Sequence, residues 1–197
     1  MIIRAGIYVL CGGVLWAAAC SFLKPKSDPT QYFVLSSDEG QPPHPSAQVV
    51  GIDRIELPEY LTRPELVTRT EANQLKISDY ERWGEPLKDG FSRTLRTDLE
   101  RQLGLGHAVA APFDPTHRPA VTVDVEVRRF EKVTPEGAVL EATWTLRDST
   151  SGPALETKAV RLVEPLPRSD TRATVAALSQ ALSKLASLIA QAVRARS

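Results

Sequence analysis

Cysteine is nearly missing from this chain of 197 residues. The only two cysteines are Cys11 and Cys20, so residues 21–197 contain none. A domain built from those residues can form no disulfide, no thiolate metal site and no cysteine nucleophile. Its stability must come from a hydrophobic core, and about 180 residues are enough for one domain with such a core.

Net charge and the usual catalytic motifs are missing as well. Basic and acidic residues number 24 each, which argues against nucleic acid binding and against a polybasic membrane patch. No nucleophile elbow, phosphate-binding loop or dinucleotide-binding glycine motif occurs. The three histidines, His44, His107 and His117, fall in expected loops or strand edges, without a ligand partner at metal spacing. The sequence therefore predicts no enzyme, no metal and no bound cofactor.

The first recognisable feature of the sequence is an N-terminal targeting segment. Residues 1–19 have the three parts of a secretory signal, namely a positive charge at Arg4, an apolar run from Ala5 to Trp16, and small residues at the end. Cys20 follows directly. This arrangement resembles a bacterial lipobox, in which the cysteine is acylated on sulfur and becomes the new N-terminus.

Two other fates of this segment stay open. Ala17 lies three residues before Cys20, where lipoboxes usually carry Leu, so ordinary cleavage after Ala19 competes with acylation. An uncleaved membrane helix is a weaker alternative, because the apolar run is shorter than the roughly 20 residues that a bilayer requires. If Cys20 is acylated, two or more chains anchor it stably, and Ser21 favours the outer membrane by resemblance to the sorting rule. Residues 20–29 would then be a tether and residues 30–197 the periplasmic domain.

Alternating apolar residues predict eight strands. The third and fourth should form a hairpin in which Asn73 takes the left-handed conformation. Phe130 is out of phase with the strand before it, which predicts either a bulge or the end of the strand near Arg129. The predicted strands are Thr30–Ser36, Gln48–Leu57, Leu66–Thr70, Gln74–Ser78, Ala108–Ala111, Val121–Val127, Ala138–Leu146 and Leu155–Val163.

Two helices complete the predicted domain. The first has Pro86 in its first turn, an apolar residue at every fourth position from Leu87 to Leu103, and Gly104 as its C-cap. The second runs from about Asp170 to Ala195, with Ser169 or Asp170 as its N-cap, and its apolar face should pack on a sheet rather than span a membrane. The order of elements predicts an α+β fold (an α/β sandwich), with one mostly antiparallel sheet and both helices on one face.

Two stretches, Ile55–Val67 and Tyr80–Leu87, place aromatic residues and arginine beside prolines. We call their central parts, Leu57–Pro64 and Arg82–Leu87, the proline-bounded stretches. Such residues are typical of interface hot spots. A structural interpretation competes with this one, because Tyr60 and Trp83 can fill gaps between sheet and helix while the arginines bind loop carbonyls. The predicted partner-binding residues are Tyr60, Leu61, Arg63, Arg82 and Trp83.

The lipobox-like site, the segment Tyr32-Phe33-Val34-Leu35, these two stretches and the Leu-rich helix resemble, in this order, the PqiC-type lipoproteins. These are ABC-type transport auxiliary lipoproteins related to paraquat-inducible protein C. The resemblance covers nearly the whole chain after the signal. It implies an outer-membrane lipoprotein that faces the periplasm and works with an MCE-domain protein and an ABC permease and ATPase. Such systems move phospholipids or other hydrophobic molecules between the two membranes and maintain envelope integrity, and a ring-like homo-oligomer would suit that task.

Two other functions are weighed against this one. The first is a structural envelope lipoprotein that binds cell wall or another envelope protein. The second is a hydrolase, which would require His107 or His117 within hydrogen-bond reach of a serine and a carboxylate.

Overall fold

A computed structural model of the protein describes residues 27–37, 48–149, 152 and 154–196. The predicted signal peptide, Cys20 and His44 lie outside these residues. The fold is α+β, as predicted, with two helices, α1 (Leu87–Leu103) and α2 (Thr171–Arg194), and a short 3-10 turn at Glu59–Leu61. The strands are β1 (Gln31–Phe33), β2 (Val50–Glu56), β3 (Glu65–Glu71), β4 (Gln74–Trp83), β5 (Ala108–Ala110), β6 (Val121–Val133), β7 (Gly137–Asp148) and β8 (Ala154–Glu164).

The long strand β6 is the centre of the sheet, and its regular half is the meander that the sequence predicts. β6 pairs antiparallel with β7, and β7 pairs antiparallel with β8. Val123 lies opposite Leu146, and Val125 lies opposite Trp144. These four side chains are buried in the same core cluster as the apolar residues of both helices. The alternating sequence therefore builds one buried face and one wet face.

The other edge of β6 pairs with two strands in succession. β2 lies parallel to the first half of β6, from Val121 to Glu126, and β3 lies parallel to its end, at Lys132 and Val133. β5 and β1 add further parallel pairs, to β2 and β4 respectively, whereas β3 and β4 form an antiparallel ribbon. The sheet is therefore mixed, and the prediction of a mostly antiparallel sheet is wrong. The physical reason is that the chain crosses over at residues 57–64 and 111–120 instead of forming hairpins, so β3 and β6 run in the same direction as β2 and β5.

Of the two alternatives predicted near Arg129, the structure shows the bulge, and β6 continues to Val133. The pairing of β6 with β7 shifts register between Val127 and Arg129. This extra residue returns Phe130 to the buried face, where its ring meets that of Phe91 on α1 edge-to-face, with 5.2 Å between the ring centroids. The contact fixes α1 against the point where the sheet branches.

Both helices follow their sequence signals. In α1, Leu87, Phe91, Leu95, Leu99 and Leu103 are all buried, Pro86 is the N-cap, and Gly104 ends the helix with φ of 113°. In α2, the cap is Asp170, whose carboxylate accepts a hydrogen bond of 2.7 Å from the backbone N–H of Ala173. By length and composition α2 is apolar enough to span a membrane, yet its apolar side chains lie in the core.

Three local details differ from the predictions. β1 ends at Phe33 because the chain turns towards α1, where the Leu35 carbonyl accepts hydrogen bonds from Arg93 and Thr94. β4 continues beyond Ser78 to Trp83, since β1 pairs with that extension. Asn73 does not have the predicted positive φ; in the described part of the chain only glycines have one.

Candidate functional site

The two proline-bounded stretches meet in the fold. Leu57–Pro64 crosses the interval between β2 and β3, while Arg82–Leu87 ends β4 and enters α1. The Trp83 N–H donates a hydrogen bond of 2.7 Å to the Pro64 carbonyl. Arg82 lies opposite Glu65, with 3.6 Å between its Nη2 and the carboxylate. Pairing of β3 with β4 therefore joins two stretches about 20 residues apart in the sequence into one site.

Tyr60 is anchored to the sheet by a buried ion pair. Its hydroxyl donates a hydrogen bond of 2.9 Å to Oε2 of Glu131, whose side chain is fully buried. The other oxygen of Glu131 accepts from Nε of Arg69 at 2.9 Å, and the Arg69 guanidinium lies 5.5 Å from the Tyr60 ring centroid. Burial, with the negative charge of Glu131, raises the pKa of Tyr60 to about 12. Sequence reasoning missed Glu131, although its position just after the predicted bulge was a signal.

The other four predicted partner-binding residues differ in accessibility. Leu61 and Trp83 are buried in the core, which agrees with the structural interpretation for Trp83. Arg63 and Arg82 are half-buried. Partner binding by these residues stays a prediction, and any contribution of Leu61 and Trp83 to it would come through the surface that they support.

That surface is the floor of a groove of about 470 Å³ between the β3–β4 ribbon and the start of α2. Leu61, Trp83, Phe130 and Leu178 are among the residues that line it. The groove thus has an apolar floor and a rim with charges of both signs. The charged lining residues are Lys76, Asp79, Glu81 and Lys132.

An unusual bulge in β4 forms one rim of this groove. Val67 pairs with Ile77 and Glu65 with Arg82, so a single residue of β3 faces four residues of β4, Ser78–Glu81. The Glu81 N–H donates to the Ser78 hydroxyl, and its carboxylate accepts a hydrogen bond of 3.2 Å from Thr171 at the start of α2. Bulges of this kind are common next to functional sites.

A cluster of exposed apolar side chains lies at the β1 side of the same ribbon. The exposed fractions are 68% for Tyr32, 54% for Val34, 44% for Ile77 and 53% for Tyr80. We call these four residues the β1–β4 edge patch. Sequence analysis missed it, because Tyr32 and Val34 belong to a predicted strand and only pairing with β4 shows which of their faces is free.

The described residues give little support to the hydrolase alternative. They contain no group of three or more His, Cys, Asp or Glu side chains arranged to hold a metal. Nδ1 of His117 lies 2.9 Å from the Thr116 hydroxyl and 3.6 Å from the Asp114 carboxylate, but these residues form an exposed turn. His107 is half-buried and its ring contacts the Leu105 carbonyl. Neither histidine faces a serine in these contacts.

Two solved structures show the same fold, and a third is less similar. A crystal structure of an uncharacterised protein is 20% identical over 83% of this chain and 98% of its own length, with a TM-score of 0.67. A protein from Xanthomonas campestris is 16% identical over 84% of this chain and 95% of its own, with a TM-score of 0.68. PelC from Paraburkholderia phytofirmans, a dodecamer, is 13% identical over 82% of this chain and 95% of its own, with a TM-score of 0.46.

No curated protein matches the sequence. The family model for the ABC-type transport auxiliary lipoprotein component matches residues 33–190, which include both proline-bounded stretches, the groove and most of the two helices. This family is described as a transport component rather than an enzyme. The resemblance found in the sequence is confirmed, and the chain belongs to the ABC-type transport auxiliary lipoprotein family.

Proposed function

We propose that this chain is a non-catalytic auxiliary of an ABC transport system that contains an MCE-domain protein. Acyl chains on Cys20 hold it in the outer membrane, and its domain faces the periplasm. The system moves phospholipids or other hydrophobic molecules between the membranes and so maintains envelope integrity. The observation that carries the proposal is the meeting of both proline-bounded stretches at one groove, within the family match.

The groove is the proposed contact site for the MCE-domain protein. Its floor includes Leu61 and Trp83, and its rim offers hydrogen-bonding groups and both signs of charge. An extended peptide segment, with apolar side chains on one face and polar groups along its backbone, complements such a lining. β1 pairs with β4 only at Glu81–Trp83, so the edge of Gln74–Tyr80 is unpaired among the described strands and can accept a further strand.

We also propose that the domain acts as a homo-oligomer. β8 pairs with β7 on one side, and no described strand pairs with its other edge over the 11 residues Ala154–Glu164. An open edge of this length is a suitable contact between copies. Light scattering on the purified lipoprotein measures its mass, and a monomer over the micromolar range would contradict this part of the proposal.

Co-purification tests the partner. The tagged full-length lipoprotein, extracted from membranes, should bring down the MCE-domain protein. Lys76→Glu combined with Asp79→Lys reverses two exposed rim charges and should reduce the recovery, whereas Glu126→Lys, on the wet face of β6, should not. The proposal would be overturned if the wild-type lipoprotein recovers no MCE-domain protein and a deletion strain keeps normal lipid asymmetry. Sedimentation with purified peptidoglycan would instead support a structural envelope lipoprotein.

The anchor has its own test. Mass spectrometry of the mature N-terminus should show acyl chains on Cys20, and Cys20→Ser should release the domain from the membrane fraction. An exported protein with an unmodified Cys20 sulfur, in cells that are unaffected by Cys20→Ser, would show that the anchor is wrong.

A further inference from the structure

The predicted tether joins the domain at the β1–β4 edge. β1 begins at Gln31, which lies opposite Glu81 in a parallel pair. Ten residues, Ser21–Thr30, separate it from Cys20. Even a fully extended chain keeps these two positions within about 40 Å, which is roughly the diameter of a compact domain of this size. An anchored domain therefore always has this edge within one domain diameter of the bilayer.

The exposed apolar side chains are concentrated at this same edge. In the described part of the chain, seven large hydrophobic side chains are exposed, and four of them form the β1–β4 edge patch. Tyr32 pairs with Arg82. Arg82 and Ile77 pair with Glu65 and Val67, which are two residues apart on β3 and therefore lie on the same face. The strand register thus places Tyr32, Arg82 and Ile77 on one side of the ribbon. The fourth patch residue, Tyr80, lies in the bulge between Ile77 and Arg82 and also lines the groove, so the patch adjoins the groove at this rim.

We propose that the β1–β4 edge patch contacts the lipid surface that holds the anchor, with Tyr32 and Tyr80 at the level of the headgroups and Ile77 directed into the acyl region. This rests on the proposed acylation of Cys20. Tyrosine suits the position, since its ring is apolar and its hydroxyl can stay hydrated. The contact meets the groove at one rim residue, Tyr80, whereas Tyr32, Val34 and Ile77 are not among the residues that line the groove.

A tether makes such a small contact effective. Few apolar side chains are involved, so a domain without its anchor would bind a bilayer only weakly. Attachment through a short chain converts the contact into an intramolecular event with a high effective concentration. We therefore expect the patch to contact lipid in the anchored protein, although the unanchored domain should not sediment with vesicles.

The charges around the patch define the type of contact. Arg82 is paired with Glu65, and the exposed Lys76 and Asp79 have opposite signs. Electrostatic attraction to anionic lipid therefore contributes little. The contact should be insensitive to added salt, unlike that of a polybasic surface.

The test uses single cysteines, because an acylated Cys20 leaves no free thiol in the mature chain. An environment-sensitive dye is placed at Tyr32→Cys or Ile77→Cys in the full lipoprotein. The protein is then reconstituted in phosphatidylethanolamine and phosphatidylglycerol vesicles that carry a spin-labelled quencher below the headgroups. Dyes at both positions should shift to the blue and be quenched, at low and at high salt. A dye at Leu105→Cys should do neither, because Leu105 is 91% exposed but follows α1 and precedes β5, at the far end of the sheet.

Substitutions within the patch give a second measurement. With the dye at Gln74→Cys, beside the hairpin turn, Tyr32→Ser combined with Ile77→Ser and Tyr80→Ser should abolish the quenching. The control, Leu105→Ser, removes an exposed apolar side chain outside the patch and outside β8, and it should leave the quenching unchanged.

Two results overturn the inference, and they can be told apart. If mass spectrometry shows acylated Cys20 but the patch dyes are not quenched, the patch faces water or protein, and the contact is wrong while the anchor stands. If the dye labels Cys20 itself in the parent protein, the sulfur is free. The proposed anchor then fails, and the lipid contact fails with it.

Discussion

The hydroxyl of Tyr60 donates a hydrogen bond of 2.9 Å to Glu131, a carboxylate that is completely shielded from water. Tyr60 belongs to the crossing between β2 and β3, and Glu131 belongs to β6 just after its bulge. The same carboxylate accepts from Arg69 and from the Phe130 N–H. One buried charge thus ties the first proline-bounded stretch to the strand on which the sheet branches.

Tyr60→Phe removes this bond and leaves the ring in place. Because the acceptor is charged and buried, we expect a loss of about 1.5 kcal/mol in the free energy of unfolding, measured by urea denaturation of the domain. Tyr80→Phe is the matched control on an exposed ring and should change stability by less than about 0.5 kcal/mol. Equal stabilities of the two variants would contradict the role of the bond.

The same contact predicts how stability depends on pH at the alkaline end. The pKa of Tyr60 is raised to about 12 in the folded protein, against about 10 in an unfolded chain. The folded state therefore holds this proton more tightly. The resulting stability is complete below pH 10 and is lost as the pH rises to about 12. Urea titrations at several pH values should show a steeper decline for the wild type than for Tyr60→Phe, and parallel curves would argue against the shift.

Asp170 caps α2, and sequence reasoning left Ser169 as the alternative. Asp170→Ala removes the acceptor for the Ala173 N–H, so the free energy of unfolding should fall by about 1 kcal/mol. Ser169 contributes its backbone carbonyl, which accepts from Lys132, and a side-chain truncation preserves that carbonyl. Ser169→Ala should consequently be close to neutral. If Ser169→Ala lowers the free energy of unfolding more than Asp170→Ala does, the assignment of Asp170 as the cap is wrong.

Substitutions at Gly137 and Gly106 distinguish the energetic cost of backbone strain from the cost of steric overlap. Both have a positive φ, of 126° and 80° respectively. A Cβ on Gly137 would lie 2.3 Å from the Glu164 carbonyl oxygen, whereas one on Gly106 would meet open space. Gly106→Ala should cost about 1 to 2 kcal/mol from conformation alone. Gly137→Ala should cost clearly more, because it also forces β7 away from β8. Calorimetry on the two variants measures the difference.

The elements of the fold follow closely from local sequence signals. Alternating valines define the first half of β6, four-residue apolar spacing defines α1, and a phase change at Phe130 locates the bulge. Each of these signals is contained in a short stretch of chain, because side-chain periodicity directly reflects the geometry of a strand or helix. Helix caps are equally local, which is why the sequence predicts Gly104 at the end of α1 and restricts the N-cap of α2 to Ser169 or Asp170.

The sequence by itself therefore determined the strands and helices, the α+β class and the family. Only the tertiary structure decided that β2 and β3 share one edge of β6 in parallel, that Glu131 is buried beneath Tyr60, and that both proline-bounded stretches border one groove. These relationships depend on pairings between residues far apart in the chain. Periodicity indicates which face of an element is buried, but not which partner buries it, since many apolar faces can satisfy the same pattern.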